Sequence, residues 1–142
     1  MFKKISLETW TFSYIILCFL LVGLNFMPFL FQEDGRMIGG FNLGVEGNIL
    51  HVLSGMWAAT ALWYSRNSMI YYFKIFGAVY FLDGVVGLIA GRAFLNLNLF
   101  RSDVTPHVDY MVRLLLNTPH LIIGGLAMIV GFMLFGKHAN RL

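Results

Sequence analysis

Apolar residues along this chain fall into four long runs separated by shorter polar segments. The runs cover about residues 11–31, 48–64, 70–90 and 114–136. A helix needs about 20 apolar residues to cross the hydrocarbon core of a bilayer, whereas the strands of membrane barrels are about half as long. The pattern therefore predicts an all-α integral membrane protein, with four transmembrane helices in a single domain over residues 1–142.

The polar segments predict how these helices are connected. Only a few residues around Ser65 and Arg66 separate the second run from the third, so these two helices form an antiparallel hairpin and the bundle runs up-down-up-down. The first run is longer than the apolar part of a secretory signal peptide, about 7 to 15 residues, and no small-residue cleavage site follows it. We therefore expect the first run to be retained as a membrane span.

Composition and charge agree with a membrane location. The chain is 58% hydrophobic and 12% charged, whereas soluble domains carry about 25% charged residues. Basic residues set orientation, since they favour the cytoplasmic side. The chain is predicted to lie in a bacterial inner membrane with both termini on the cytoplasmic side. Six basic residues then lie on the cytoplasmic side (Lys3, Lys4, Arg66, Lys74, Lys137, Arg141) and four on the outer side (Arg36, Arg92, Arg101, Arg113). The net charge of +3 therefore concerns topology, and no patch for nucleic acid is present.

One motif, Asn-x-x-His-x-x-x-Gly, opens both the second and the fourth run. Its residues are Asn48, His51 and Gly55 in the second run and Asn117, His120 and Gly124 in the fourth. Residues at these spacings share one face of a helix. The repeat predicts two duplicated helical hairpins, related by a pseudo-twofold axis along the membrane normal. Gly23-Leu24 and Gly87-Leu88 are weaker matches between the two halves.

The motif supports two interpretations. Across the diagonal of a bundle, about 12 to 14 Å, His51 and His120 leave a gap suited to haem b or to a metal ion with added ligands, with Gly55 and Gly124 as clearances. Alternatively, the histidines make structural hydrogen bonds and the glycines are close-packing positions. Asn48 and Asn117 are then N-caps, with Pro119 in the first turn of its helix.

Asp83 lies deep inside the third run, where carboxylates are costly and mark function or a buried partner. It is predicted about one turn deeper than the histidines, within reach of one imidazole whose tautomer it would fix. Two loop residues, His107 and Asp109, either face the mouth of this site or are solvated. Aromatic residues near the inner ends of the second and third runs predict an interfacial belt: Trp57, Trp63, Tyr64, Tyr71, Tyr72 and Phe73.

Four spans in a chain of this length, with the repeated motif opening the second and the fourth, resemble an uncharacterised bacterial membrane family, domain of unknown function 4383. The resemblance covers most of the chain and rests on a short motif. It implies the four-helix membrane fold and the pairing of His51 with His120. It implies no activity, because none is established for that family.

These features favour three hypotheses about function. The first is a small electron carrier or cytochrome-like protein that holds haem b or a metal ion between His51 and His120. The second is a non-catalytic accessory subunit, in a larger membrane complex or a homo-oligomer. The third is a proton or small-solute pathway through Asp83 and the two histidines. The sequence has no Walker loop, GxGxxG, CxxC, nucleophile elbow or HExxH motif, so an enzyme is the less favoured interpretation. Cys18 is expected to be a packing residue.

Overall fold

A computed structural model of the protein describes residues 5–27, 44–103, 105–107 and 109–136. Four helices follow one another: α1 (Leu7–Leu24), α2 (Val45–Tyr64), α3 (Arg66–Ala90) and α4 (Tyr110–Met128), which continues as a π-helical segment (Ile129–Leu134). A short 3-10 turn (Asn98–Phe100) lies in the connection between α3 and α4. These described ranges contain no strand, which confirms the predicted all-α class.

Three of the helices are long and apolar enough to cross a membrane: α1, α3, and α4 together with its π-helical segment. The second helix, α2, is not among them, because Glu46, Asn48 and His51 lie in its first two turns. The surface of the bundle is rich in large apolar side chains, such as Phe12 and Ile89, which are 56% and 73% exposed. A bilayer is the environment in which such a surface is stable.

Local capping explains why α1 and α3 begin earlier than predicted. The Ser6 hydroxyl accepts from the amide of Thr9 at 3.1 Å, and Ser65 accepts from Ser68 at the same distance. These caps start α1 at Leu7 and α3 at Arg66, four residues before the predicted spans. The first helix ends at Leu24, short of the predicted residue 31; residues 28–31 lie outside the described residues.

The predicted N-cap roles of Asn48 and Asn117 are wrong. Gly44 is the N-cap of α2, so Asn48 is the fourth residue of that helix. Asp109 caps α4 by accepting from the amide of Met111 at 2.7 Å, so Asn117 lies two turns into α4. The acidic side chain of Asp109 also interacts favourably with the positive N-terminal end of α4.

Pro119 therefore lies inside α4, where it lacks the N–H that would bond to the carbonyl of Leu115, four residues earlier. The side chains of Asn117 and Thr118 donate to the carbonyls of Arg113 and Leu114, at 2.8 and 2.6 Å. Both residues next to the proline on its N-terminal side thus bond back to the preceding turn of the helix.

Glycines set how closely the helices pack. In the interface of α3 with α4, a Cβ at Gly77 or Gly131 would meet the backbone of the other helix at 2.6 or 2.7 Å. A Cβ at Gly55, on α2, would lie 3.2 Å from the Cβ of Cys18 on α1, so the predicted packing role of Cys18 is confirmed. The contact between α2 and α3 is much less extensive than either of these interfaces. The bundle thus consists of two tight pairs, α1 with α2 and α3 with α4.

Aromatic rings fill the centre of the bundle between these pairs. Tyr72 and Phe73 are fully buried there, so their assignment to an interfacial belt is wrong. Trp63 and Tyr64, at the end of α2, are 91% and 83% exposed, as belt residues would be. Several basic residues used to predict the orientation lie outside the described residues: Lys3, Lys4, Arg36, Lys137 and Arg141.

Candidate functional site: a buried histidine, tyrosine and aspartate cluster

The two motif histidines converge on one tyrosine, Tyr80. The Nε2 atom of His51 lies 3.1 Å from the Tyr80 hydroxyl. The ring of His120 lies against the ring of Tyr80, with the centroids 4.5 Å apart and the planes tilted by 32°. His51 and Tyr80 are buried, and the His120 side chain is 24% exposed. We call these residues and Asp83 the His-Tyr-Asp cluster.

Hydrogen-bond partners fix the tautomer of His51. Its Nδ1 atom lies 2.6 Å from the carbonyl oxygen of Gly47, one turn earlier in α2. Because a carbonyl only accepts, Nδ1 carries the proton, and Nε2 of the neutral ring accepts from the Tyr80 hydroxyl. Both nitrogens of His51 are therefore used within the chain.

Asp83 completes the cluster and is fully buried. Its Oδ2 atom lies 2.7 Å from Nδ1 of His120, so the predicted contact between Asp83 and one histidine is present. Its Oδ1 atom accepts from the backbone amides of Phe94 and Leu95, at 2.7 and 2.8 Å. Three donors hold this carboxylate, and two of them belong to the connection that follows α3. Asp83 thus ties that connection to the interior of the bundle.

The two halves of the repeated motif differ in their contacts. His51 bonds to its own helix and to Tyr80, whereas His120 bonds to Asp83. Asn117 lies against Gly87, where a Cβ would collide with the Asn117 amide. Asn48 makes no such contact, and its buried Oδ1 atom has no hydrogen-bond partner among the described residues. Identical residue types therefore have different roles in the two halves.

The cluster does not fit a haem or a metal ion held between His51 and His120. Both nitrogens of His51 already have partners, and the ring of Tyr80 occupies the space beside His120. In the described part of the chain, no three His, Cys, Asp or Glu side chains are grouped closely enough to hold a metal ion. The predicted cofactor site is thus not supported by this geometry.

Gly55 and Gly124 are packing positions between neighbouring helices. A Cβ at Gly124 would collide with the backbone nitrogen of Phe81, on α3. A Cβ at Gly55 would meet the ring of Phe19 at 3.0 Å. Neither glycine borders open space large enough for a cofactor.

A groove opens instead along the loose contact between α2 and α3. Its volume is about 210 Å³, and it is lined by apolar side chains from both helices, with Tyr80 on its wall and Leu95 at one end. Ser54 also lines it, and the described residues provide no partner for the Ser54 hydroxyl. Leu95 belongs to the connection that Asp83 holds, so the cluster and the groove share a wall.

The predicted loop residues do not enter the cluster. His107 and Asp109 are exposed; the carbonyl of His107 accepts from Arg113, and Asp109 caps α4. Arg101 bonds to Asp103 at 2.7 Å and reaches Glu46 of α2 at 3.5 Å. The hydrogen bond from Arg101 holds the pKa of the Asp103 carboxyl below its usual value. These contacts stabilise the loop and bring no reactive group to it.

Tyr80 and Ser54 are the two site residues that the sequence analysis missed. Tyr80 precedes Asp83 by three residues, which puts both side chains on one face of α3, and Ser54 follows His51 by three residues in the same way. A polar residue three positions from a predicted buried polar residue, on the same helix face, is thus the signal that identifies them. No protein-family model, curated protein or solved structure matches the chain, so the resemblance to the uncharacterised family stays a prediction.

Proposed function

We propose that this chain is a small, non-catalytic protein of the bacterial inner membrane that binds the hydrocarbon chain of a lipid in the groove between α2 and α3. The observation that carries the proposal is the contrast between helix contacts. The α1–α2 and α3–α4 contacts are closed by glycines, whereas the α2–α3 contact leaves about 210 Å³ of apolar space. An apolar space between membrane helices is filled by the nearest available hydrocarbon, because unfilled space forfeits dispersion contacts.

The dimensions and polarity of the groove indicate the class of ligand. Sites for drug-sized molecules measure about 300 to 1,000 Å³, so this groove suits one acyl or isoprenyl chain better than a macrocycle. The Ser54 hydroxyl is a free donor among the described residues, whereas the Tyr80 hydroxyl proton is directed to His51. Ser54 lies at the middle of α2, so it would donate to a carbonyl that reaches that depth, such as that of a quinone.

A substitution that fills the groove tests this proposal. Val79→Trp places a large ring in the groove, whereas Leu82→Trp places the same ring on an exposed part of α3, where Leu82 is 53% exposed. Native mass spectrometry of the protein released from mild detergent would detect bound lipid. We expect Val79→Trp to retain one lipid molecule fewer than the wild type and Leu82→Trp retain. Equal retention in both variants, or none in the wild type, would contradict the proposal.

The finer topology belongs to the same proposal. In it all four helices cross the membrane up-down-up-down, both termini are cytoplasmic, and the two tight pairs descend from a duplicated hairpin. The support is a correspondence between the halves: when Gly23 is aligned with Gly87, Cys18 pairs with Leu82. Gly55 packs on Cys18, and Gly124 packs on Phe81, the residue beside Leu82.

An absorption spectrum tests the alternative hypothesis that the protein is an electron carrier. The protein purified from cells supplied with haem precursors is expected to show no Soret band and no stoichiometric metal, because both nitrogens of His51 are engaged. A Soret band that is lost in His120→Ala would restore that hypothesis. Association with a larger complex or a second copy, and a solute pathway through Asp83, stay predictions.

A further inference from the structure

The basic side chain of Lys74 lies within α3, on the face opposite the groove. Lys74 is the ninth residue of this helix and is half-buried. Its ammonium lies 5.9 Å from the centre of the Tyr71 ring and 5.3 Å from that of Phe132. Asp83 is nine residues away along the helix, about 13 Å at 1.5 Å per residue, and it is bonded to His120. The only carboxylate buried in α3 therefore does not neutralise Lys74.

The end of α4 holds the stem of Lys74 in place. A Cβ at Gly131, in the π-helical segment, would lie 2.7 Å from the backbone nitrogen of Lys74, and a Cβ at Gly136 would lie 3.3 Å from its Cε. The close approach of these two glycines leaves the ammonium one route, outward between two rings that are themselves about half exposed or more, at 62% for Tyr71 and 48% for Phe132.

The direction of this route follows from helix geometry. Side chains in an α-helix point back toward its N-terminus, and the contact of Lys74 with Tyr71, three residues earlier, agrees with that. The N-terminus of α3 is the membrane face at which α2 and α3 are joined, where Trp63 and Tyr64 are exposed. The ammonium thus reaches toward the head-group layer of that face.

The charges around Lys74 indicate which group neutralises its ammonium in the head-group layer. No acidic side chain in the described part of the chain lies within ion-pair distance of Lys74; Arg66, on the same face of the membrane, pairs with Glu8 at 4.0 Å. Contacts with aromatic faces offset only part of the cost of removing an ammonium ion from water without a counter-ion. A phosphate group is the anion that a bilayer presents at this depth.

We infer that Lys74, framed by Tyr71 and Phe132, binds the phosphate of an anionic phospholipid at the membrane face where α2 and α3 join. A positive charge near a membrane surface attracts anionic lipid by about 1 kcal/mol, which corresponds to a preference of about fivefold over a zwitterionic lipid. The ring faces and the glycine contacts fix the position of this charge. The site is separate from the proposed groove, because Lys74 and the groove residues lie on opposite sides of α3.

Competition between two lipids tests the site. The full chain in mild detergent is mixed with equal amounts of phosphatidylglycerol and phosphatidylcholine that carry the same acyl chains, and native mass spectrometry counts the bound molecules. We expect the wild type to prefer phosphatidylglycerol. In Lys74→Gln the ratio of bound phosphatidylglycerol to bound phosphatidylcholine should fall about fivefold. Lys74→Arg, which keeps the charge, should retain it. Arg101→Gln is the matched control, since it removes one positive charge at the opposite end of the bundle.

Three results would overturn the inference. They are a wild type without a preference for phosphatidylglycerol, an equal loss in Lys74→Gln and Arg101→Gln, and full displacement of the bound lipid by millimolar inorganic phosphate, which would identify a site for the free ion. Melting temperatures of the same samples show whether each variant is folded. If Lys74→Gln is not, Lys74→Met, which keeps the apolar stem, replaces it in the same comparison.

Discussion

A carboxylate buried in an apolar bundle is stable only when donors surround it, and Asp83 has three. Asp83→Asn keeps an oxygen for the amides of Phe94 and Leu95 but turns an N–H₂ group toward the N–H of His120. We expect it to lower the free energy of unfolding by about 1 to 3 kcal/mol, the cost of a lost bond to a charged group. Denaturant titration in detergent would measure this. Asp103→Asn, at an exposed carboxylate, is the control and should change stability little.

Two buried tyrosines on the same face of α3, eight residues apart, separate the effect of hydrogen bonding from that of ring packing. The Tyr80 hydroxyl bonds to His51 at 3.1 Å, whereas the buried Tyr72 hydroxyl has no partner among the described residues. Tyr80→Phe should therefore lower the free energy of unfolding by about 1 kcal/mol, and Tyr72→Phe should leave it unchanged or raise it. Thermal unfolding of both variants under one condition provides the comparison. Equal destabilisation would mean that the bond to His51 contributes nothing specific.

At the scale of the helices, the glycines decide which contacts are closed. A Cβ at Gly124 would collide with the backbone nitrogen of Phe81, whereas one at Gly125 would lie 3.7 Å from the Phe81 ring, at ordinary contact distance. Gly124→Ala must push α3 and α4 apart and should cost about 1 to 3 kcal/mol. Gly125→Ala should be neutral or slightly stabilising, because alanine favours a helix. A Gly124→Ala variant as stable as the wild type would show that this interface is not closely packed.

Helix class and the burial of Asp83 were predictable, because they depend on apolar run length and on the position of one charge. The start of α4 was not. Asn-Thr-Pro has the composition of a helix start, and only the carbonyls of Arg113 and Leu114 reveal that Asn117 and Thr118 bond backwards inside a helix. Tyr80 was missed for a related reason. Its spacing from Asp83 puts Tyr80 on the buried face of α3, but nothing in an apolar run indicates that a tyrosine there meets His51 and His120.

For the whole molecule, the division into two tight pairs relates the cluster to the groove. The α1–α2 pair contributes His51 and Ser54, and the α3–α4 pair contributes Tyr80, Asp83 and His120. The bond between His51 and Tyr80 joins the pairs at the edge of the groove. The repeated motif thus contributes one contact between the two pairs, and the groove lies beside that contact.

The number of membrane crossings depends on α2, whose average composition hides an apolar outer surface. Its 20 residues reach about 30 Å, the thickness of a bilayer core. His51 and Gly47 face inward and are buried, whereas Ile49, Leu53 and Met56 are each more than half exposed. Only the outward side meets lipid, so we expect α2 to cross the membrane and both termini to lie on the same, cytoplasmic side.

Single cysteines introduced in a Cys18→Ala background test this topology in intact cells. Phe2→Cys and Asn140→Cys should react with a membrane-impermeant maleimide only after permeabilisation, while Ser102→Cys, in the exposed connection between α3 and α4, should react without it. If α2 did not cross, three crossings would put the termini on opposite sides, and one terminal cysteine alone would be labelled in intact cells. That outcome would also remove the proposed groove from the hydrocarbon layer, because one of its two walls would then lie outside the bilayer core.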